Sequence, residues 1–452
     1  NYYRTGGTET TLSPAVTHTR AGQATMVDSD GLLKWSPHNL LVRSEELNLW
    51  SQGGTGSAVV NNAVAPDGTT TAATFTIGST NFLRYILSSG TYTAGDKITY
   101  SFWARSDTVT TLPFGINGGT NGANNNIFSS IAVTSTWNLV EFEFTVLGDD
   151  SSLYYIIGKQ SQNPVNCQLG DVEIWHPHAY RSDLGGMVNN SETGNSYAPT
   201  TSSAVYLPRV GHHIYNGSAW VNEGILHESE ARTNALNNSG DVTGNRWVQQ
   251  IGVTSTATGS PFGSYQSASP TSTSSVESQS YQINNPLTQG ATYVAWSLAK
   301  YSAGNGWFSV SLYDTVSQNN RGWFDLQNGV VGSKDTNIID YGMIDYGDGW
   351  WLCWASKVAS STSGGINLGV TTGDGATDAN SGDVILIAGS QLEAGSTPSS
   401  YIPTSDSTVT RAAETLTVPA ANLPYSSTNM SIQMDGKMTY ADTGSFGTVR
   451  LF

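Results

Sequence analysis

Hydrophobic and polar residues alternate along many short segments of this chain, with the period of two that is typical of β-strands. Lys97–Arg105, Leu139–Val146 and Val384–Ile387 are rich in β-branched and aromatic residues, and turns such as Tyr346–Gly349 separate such segments. Helical spacing is confined to short stretches such as Ser44–Leu49. The pattern therefore predicts an all-β protein.

The chain also contains an internal repeat. Three pairs of segments match in the same order, namely Asn39–Ser44 with Asn234–Ser239, Trp137–Leu139 with Trp350–Leu352, and Tyr197–Thr200 with Tyr401–Thr404. The spacing grows from 195 residues in the first pair to 213 in the second, so the second copy carries about 18 extra residues, which we expect near Gly304–Asp335. The alternative is chance similarity between segments rich in Ser and Thr.

Short strands repeated within modules of about 150 to 180 residues favour sandwiches, and a jelly roll is common at that size. We therefore expect two tandem antiparallel jelly-roll β-sandwiches. The predicted divisions are an extended N-terminal arm at residues 1–38, jelly-roll module 1 at 39–183, a linker at 184–224, jelly-roll module 2 at 225–413, and at 414–452 the start of a third β domain or a strand completed by another subunit.

The amino-acid composition limits the kinds of partner that the protein can bind. Only 12% of the 452 residues are charged, and 35 Asp and Glu outnumber 19 Lys and Arg without any basic cluster, so nucleic acid is a poor candidate partner. No apolar run is long enough for a membrane helix, and insertion into a membrane is not expected. Cys167 and Cys353 fall in different predicted modules, so we expect no disulfide framework.

Alternation around Trp307–Tyr313 places Phe308 and Leu312 on one strand face and the two aromatic ends on the other. Sugars are recognised by aromatic faces with amides and charged groups nearby. The predicted carbohydrate-binding residues are Trp307, Tyr313, Trp323, Asp325, Asn320 and Arg321. The alternative is that these aromatic side chains pack against a neighbouring module or subunit.

No catalytic residues are predicted. Glu141 and Glu143 share a strand face, as do Asp171 and Glu173, but solvated surface acids explain both pairs in an acidic chain. His176 and the other histidines offer no set of three or four convergent ligands for a transition metal. We therefore expect a binding protein rather than an enzyme.

Several phrases resemble those of phage virion structural proteins of the tail-fibre or head-fibre type, which contain carbohydrate-binding-module folds. They are His18–Arg20, Val27–Gly31, Asn39–Glu46, Gly224–Asn234, Gln391–Gly395, Tyr401–Thr404 and Thr410–Ala413. The phrase departs from the usual more apolar run at His227–Ser229. The resemblance implies a jelly-roll module between each pair of phrases and a concanavalin-like or laminin-G-like domain after Glu414.

The resemblance implies a homotrimeric protein of the virion surface, either a fibre, a spike or a decoration protein. Such a protein would contact other virion proteins and bind host surface polysaccharide. Jelly rolls of this kind often hold a structural Ca²⁺, and Asp28, Asp30, Asp374 and Asp378 in Asp-rich turns are the candidate ligands. No other cofactor is expected. The alternatives are a purely structural virion component without a ligand and a polysaccharide depolymerase.

Overall fold

A computed structural model of the protein describes residues 3–5, 8–10, 16–54, 58–78, 81–87, 92–119, 125–160, 162–244, 246–249, 252–253, 257–269, 278–317, 320–422 and 428. In these residues nearly all regular structure is β, with 3-10 helices only at Leu47–Leu49 and Ala420–Asn422. The prediction of an all-β fold with antiparallel β-sandwiches is confirmed.

Strands β1 to β19 run from the N-terminus to the middle of the chain. They are β1 Tyr3–Thr5, β2 Thr8–Thr10, β3 Thr17–Arg20, β4 Thr25–Val27, β5 Leu33–Trp35, β6 His38–Asn39, β7 Ser51–Gly53, β8 Ala58–Ala63, β9 Ala72–Ile77, β10 Phe82–Ile86, β11 Lys97–Arg105, β12 Thr111–Gly118, β13 Ile127–Ala132, β14 Asn138–Thr145, β15 Leu153–Gly158, β16 Gly170–Arg181, β17 Val205–Tyr206, β18 Arg209–Tyr215 and β19 Trp220–Leu226.

Strands β20 to β35 complete the described part of the chain. They are β20 Arg232–Asn234, β21 Val248–Gln249, β22 Gly252–Val253, β23 Ala257–Ser260, β24 Gly263–Ser269, β25 Ser278–Pro286, β26 Thr292–Ala303, β27 Trp307–Asp314, β28 Asn320–Asp325, β29 Val330–Lys334, β30 Asp340–Asp345, β31 Trp350–Val358, β32 Ser363–Thr371, β33 Val384–Ala394, β34 Val409–Arg411 and β35 Glu414–Thr417.

The chain divides into a continuous unit, residues 35–208, and a split unit, residues 1–34 with 209–452. In the continuous unit, one five-stranded sheet has the order β13-β12-β15-β10-β7 and the other has the order β14-β11-β16-β9-β8. Alternate residues of these strands enter the core between the sheets, where Tyr100, Phe102, Phe114 and Tyr155 pack together.

The split unit repeats this arrangement with larger sheets. Its six-stranded sheet has the order β21-β25-β32-β27-β28-β29. Its seven-stranded sheet has the order β22-β24-β33-β26-β31-β30, and the seventh strand, β23, pairs with β24 beside this path. Phe308, Phe324, Ile366 and Leu392 are among the residues buried between them. The strand order matches that of the continuous unit position by position, as the sequence repeat predicts.

The extra strands of the second copy begin at the end of the expected range, Gly304–Asp335, and extend beyond it. β27 and β28 correspond to β12 and β13 of the continuous unit, so Trp307 and Trp323 belong to the repeated sandwich rather than to an insertion. The additional strands are β29 and β30, between Val330 and Asp345, and each forms the edge of one sheet. The short sequence matches between the two copies, which are rich in Ser and Thr, could not locate the ends of the extra segment.

The matching sequence phrases form the same hydrogen-bonded clasp in both units. In the continuous unit, Asn39 donates from Nδ2 to the Ala198 carbonyl (2.7 Å) and accepts the Leu41 N–H at Oδ1 (3.0 Å). The hydroxyl of Ser44 lies 2.9 Å from that of Tyr197 and accepts the Thr200 N–H at 2.9 Å. The clasp thus ties the first strand region of the sandwich to the segment that follows its last strand.

In the split unit, Asn234 donates to the Ile402 carbonyl at 2.9 Å and accepts the Leu236 N–H at 3.1 Å. The hydroxyls of Ser239 and Tyr401 lie 2.8 Å apart, and Ser239 accepts the Thr404 N–H at 2.9 Å. This correspondence, atom for atom, excludes chance similarity between the phrases.

A buried cluster of charges connects distant segments of the split unit. Arg209 lies 2.7 Å from the Glu228 carboxylate and 2.9 Å from that of Glu414. Arg20 lies 2.5 Å from Glu414, and Arg411 lies 3.1 Å from Glu228. All five side chains are almost completely inaccessible to solvent. Glu228, in the segment where the sequence departs from the usual more apolar run, therefore supplies one of the two buried carboxylates.

The pKa values of both carboxylates are lowered. Burial alone would raise the pKa of Glu228, but the charges of Arg209 and Arg411 and hydrogen bonds from Ser400 outweigh burial and lower the pKa to about 2. The same competition, in which His18 at 3.8 Å and the charge of Arg209 oppose burial, holds the pKa of Glu414 far below its usual value. Both groups are therefore ionised at neutral pH.

The predicted arm, linker and third domain all contain residues of the split unit. Thr17–Arg20 of the predicted arm pairs antiparallel with Glu414–Thr417, where we expected the third domain to begin. Arg209–Leu226, in and just after the predicted linker, forms a hairpin with its turn at Asn216. The remainder of the predicted third domain, from residue 423 apart from 428, lies outside the described residues.

We predict that Tyr401→Phe lowers the free energy of unfolding by about 1–3 kcal/mol, because it removes a buried hydroxyl partner of Ser239. The measurement is thermal and denaturant unfolding of the full chain. Tyr215→Phe is the matched control, since its hydroxyl makes no hydrogen bond within the described residues and its ring also packs in the split unit. An equal loss of stability in both variants would contradict the role of the clasp.

We further predict that acid destabilises the split unit from about pH 4.5 down to about pH 2. A carboxylate whose folded pKa lies below its ordinary value of 4.5, as for Glu228, stabilises the fold above that value and loses this contribution as the pH falls towards its folded pKa. The measurement is the unfolding temperature as a function of pH.

Glu414→Gln should remove part of this acid dependence and reduce stability at pH 7 by about 3–5 kcal/mol, because it leaves buried arginine charges without a partner. Glu143→Gln, which breaks an exposed pair with Lys97, is the control and should change stability by about 0–1 kcal/mol. Wild-type stability of Glu414→Gln at pH 7 would rule out the proposed contribution of the cluster.

Candidate functional site

The outer face of the six-stranded sheet in the split unit is the candidate site. Phe308, Val310 and Leu312 of β27 point into the core, so the residues between them point away from it. Residues paired across antiparallel strands share a face. The register therefore places on the outer face Trp307, Ser309, Ser311 and Tyr313 of β27, Arg321, Trp323 and Asp325 of β28, Asn367 and Thr371 of β32, and Gln279 and Tyr281 of β25.

Three aromatic side chains of this face are partly accessible. Trp307, Tyr313 and Tyr281 are half-buried, so part of each ring surface remains in contact with solvent. Trp323 lies beside them but is only 4% exposed, and its indole Nε1 donates to the Ala376 carbonyl at 2.7 Å. Trp323 therefore offers little accessible ring surface to a sugar in this conformation, and its ring supports the neighbouring aromatic side chains.

Neighbouring packing fixes the Trp307 ring. Gly332 in β29 has no side chain, and a Cβ placed there would lie 2.6 Å from Cζ3 of Trp307. The adjacent Ser333 is held by Asp374, which accepts its N–H and its hydroxyl, both at 2.7 Å. The inserted strand β29 thus supports the main aromatic residue of the site.

The predicted polar residues divide between the two faces. Asn320 pairs with Leu312 and lies on the core side, where its Nδ2 donates to Ser317 at 3.0 Å and its Oδ1 accepts from Asn337 at 2.8 Å. Asn320 is therefore not part of the outer face, because it occupies the alternate position of the strand. Arg321 is on the outer face but only 8% exposed.

Asp325 is also on the outer face, yet its carboxylate closes the following turn. Oδ1 accepts the N–H groups of Gln327 and Asn328, both at 3.1 Å, and Oδ2 accepts from the Asn328 side chain at 2.8 Å. These bonds satisfy the carboxylate within the protein, so Asp325 shapes the rim of the face.

The sequence analysis did not identify a layer of buried polar side chains on the outer face, which we call the polar floor. Asn367, Gln279, Ser309, Ser311 and Thr371 lie on the outer face and are each less than 9% exposed. Asn367 donates from Nδ2 to Gln279 Oε1. These residues come from β25 and β32, which lie far from Trp307 in the sequence, and only the strand pairing reveals that they are neighbours.

Ser311 is the most informative member of this floor. Its Oγ is fully buried and has no hydrogen-bond partner within the described residues. A buried polar group without a partner is uncommon in proteins and calls for an explanation. Ser311 lies between Asn367 and Arg321 in one row across three strands, at the centre of the face.

This arrangement suits a ligand that has both apolar C–H surfaces and many hydroxyl groups. Aromatic rings bind the first kind of surface, and amides and hydroxyls bind the second. Asp325 is the one acid among the outer-face residues named above, and its carboxylate is held in a turn. The aromatic, amide and hydroxyl side chains of this face are of the kinds that bind a sugar.

The predicted calcium ligands occupy separate turns. Asp28 accepts the N–H groups of Asp30 (3.0 Å) and Leu32 (2.9 Å) and pairs with Lys34 at 3.1 Å. Asp378 accepts from Thr372 at 3.2 Å, in the turn that also contains Asp374. In the described portion of the chain, no three acidic, histidine or cysteine side chains converge as a metal site would require.

Glu141 and Glu143 line a cavity of about 520 Å³ on the outer face of the β14-β11-β16 sheet of the continuous unit, together with Thr99 and Tyr180. Glu143 pairs with Lys97 at 3.1 Å. Burial, together with the charge of Glu141, raises the pKa of Tyr180, so its hydroxyl stays protonated at neutral pH.

Among the residues that the structure describes, no helix has the length and apolar character needed to span a membrane.

No protein-family model matches the chain, and no curated protein sequence matches it. Among solved structures, the chain is similar to the N-terminal CBM22-1-CBM22-2 tandem domain of Paenibacillus barcinonensis Xyn10C, with 12% identity, a TM-score of 0.28, and coverage of 83% of this chain and 99% of that one.

Two further solved structures match a shorter part of this chain. TmCBM61 in complex with beta-1,4-galactotriose has 13% identity and a TM-score of 0.23, over 32% of this chain and 98% of that chain. The enzymatically active domain of Bacteriophage CBA120 tailspike protein 4 has 14% identity and a TM-score of 0.25, over 32% of this chain and 21% of that chain. At these low scores the fold assignment rests on the strand order given above.

Proposed function

We propose that this protein binds carbohydrate through its β-sandwich units, with the outer face of the six-stranded sheet as a principal site. The observation that carries the proposal is the combination of half-buried Trp307, Tyr313 and Tyr281 with the buried polar floor around Ser311. A sugar ring would stack on the accessible parts of the aromatic side chains. Its hydroxyl groups would reach the Asn367 amide and the Ser311 hydroxyl after the side chains above them move, because both residues are buried.

The fuller form of the proposal places the protein on a phage particle, where several copies, as a homotrimer, present the sandwiches to host surface polysaccharide. Support comes from the phrases that resemble virion structural proteins, such as Asn39–Glu46 and Gly224–Asn234. Sites with weak affinity for individual sugars gain avidity when several are presented together.

A purely structural role is the principal alternative. It would account for Trp307 and Tyr313 if both were covered by another subunit in the assembled particle. A binding role requires that these rings contact free ligand in the isolated protein. Depolymerase activity is the second alternative, and release of reducing sugar from host capsule would favour it over binding alone.

We predict that Trp307→Ala reduces binding of the full chain to its glycan by about tenfold or more, because the main stacking surface is lost. The measurement is glycan-array screening of the wild type, followed by titration of the glycan that binds best. Ser311→Ala should weaken binding less, since it removes one hydroxyl and leaves the aromatic rings in place.

Trp354→Ala is the matched control. This half-buried tryptophan belongs to β31 of the other sheet in the same unit, and its ring lies against Gly342 much as Trp307 lies against Gly332. We expect Trp354→Ala to keep the affinity of the wild type. If no glycan binds the wild type, or if both tryptophan variants lose affinity equally, the proposed site is wrong.

A further inference from the structure

The equivalent face of the continuous unit carries different chemistry. In the order β13-β12-β15-β10-β7, the outward positions of β10 and β15 are those that alternate with the core residues Leu83, Tyr155 and Ile157. Strand pairing then aligns Arg84, Ile156, Gly115 and Phe128 in one row across four strands. Tyr154 occupies the next row, beside Arg84.

Aromatic rings lie along both sides of this row. Phe128 lies over Gly115, where a Cβ would stand 2.7 Å from its Cδ1 atom, and Phe82 lies over Gly53 in the same way. Phe128, Phe82 and Tyr154 are all half-buried, so each ring presents an accessible surface. Ile156 between them is fully buried. The floor is therefore apolar, unlike the amide and hydroxyl floor of the split unit.

Arg84 supplies the charge of this face. Its guanidinium stands 5.0 Å from the centre of the Tyr154 ring, and no described carboxylate pairs with it. Four of the five other cations of the continuous unit have acidic partners, namely Arg43 with Glu46, Lys97 with Glu143, Arg105 with Glu173 and Arg181 with Asp96. The fifth, Lys159, donates to the Asn163 carbonyl. In a chain with a formal net charge of −16, an arginine without a carboxylate partner on an aromatic face is unusual.

We propose that this face binds a polysaccharide containing carboxylate-bearing sugars, such as uronic acids. The inference rests on the proposed carbohydrate binding and extends it to a second site with a different ligand class. Arg84 would hold the sugar carboxylate through paired N–H donors, a geometry that suits guanidinium, while the sugar ring packs against Tyr154 or Phe128. The two units would thus differ in specificity, the split unit favouring neutral sugars.

The test is titration of the full chain with polygalacturonate, alginate and hyaluronate, and with methyl-esterified polygalacturonate as the neutral counterpart. We expect binding to at least one acidic polymer, weakened by added NaCl because the contact is ionic. Arg84→Gln should reduce that affinity about tenfold or more, and Arg84→Lys should retain part of it. Thermal unfolding of both variants checks that the unit is folded.

Arg105→Gln is the matched control, since Arg105 lies on the other sheet of the same unit and pairs with Glu173. It should leave binding of the acidic polymer unchanged. Absence of binding to all three acidic polymers, equal binding to the esterified polymer, or unaltered affinity in folded Arg84→Gln would each overturn the inference. Neutral-glycan binding, tested separately with Trp307→Ala, can fail while Arg84-dependent binding persists, so the two proposals are tested independently.

Discussion

The side chain of one asparagine in each unit determines how the sandwich is closed. Asn39 and Asn234 each donate to a carbonyl in the segment after the last strand. Each also accepts two backbone N–H groups, one from two residues further along its own segment and one from the last strand, at Ala179 or Leu392. Buried backbone groups at such a junction must find partners, and a single amide provides three of them. The alignment of both sheets over their cores follows from this closure.

The split unit adds a second constraint, because its closure also buries charge. Three arginines and two glutamates meet where strands from both ends of the chain converge. Removing such charges from water is unfavourable unless every partner is in place. The cluster therefore favours one arrangement of these segments over alternatives in which an arginine would be buried alone. We regard it as a source of specificity in the fold as much as of stability.

The sequence allowed the class of fold to be predicted, because alternation and the paired phrases depend on local patterns. Trp307 and Tyr313 were placed on the correct face for the same reason. Asn320 was grouped with Trp307 because the two are close in sequence, whereas strand alternation places Asn320 on the opposite face. The polar floor depends on pairing between β25, β32 and β27, which no local pattern encodes.

The face around Arg84 was also missed, although a signal was present. In Phe82–Ile86 the aromatic, basic and aliphatic residues at alternate positions indicate an outward face that contains a single charge. Without the register of β15, however, Tyr154 could not be assigned to the same surface. The role of the Asp-rich turns could not be decided from the sequence, since turns of this type use aspartate to accept backbone N–H groups as readily as to bind cations.

The pairing of β3 with β35 has a consequence for synthesis of the protein. Arg20 is separated from Glu414 by 394 residues, so the N-terminal strand leaves the ribosome long before its partner exists. The continuous unit contains all of its own strands and can fold as soon as it has emerged. Nascent chains should therefore pass through a stage in which the middle of the polypeptide is folded while its leading segment still waits for the strand that completes it.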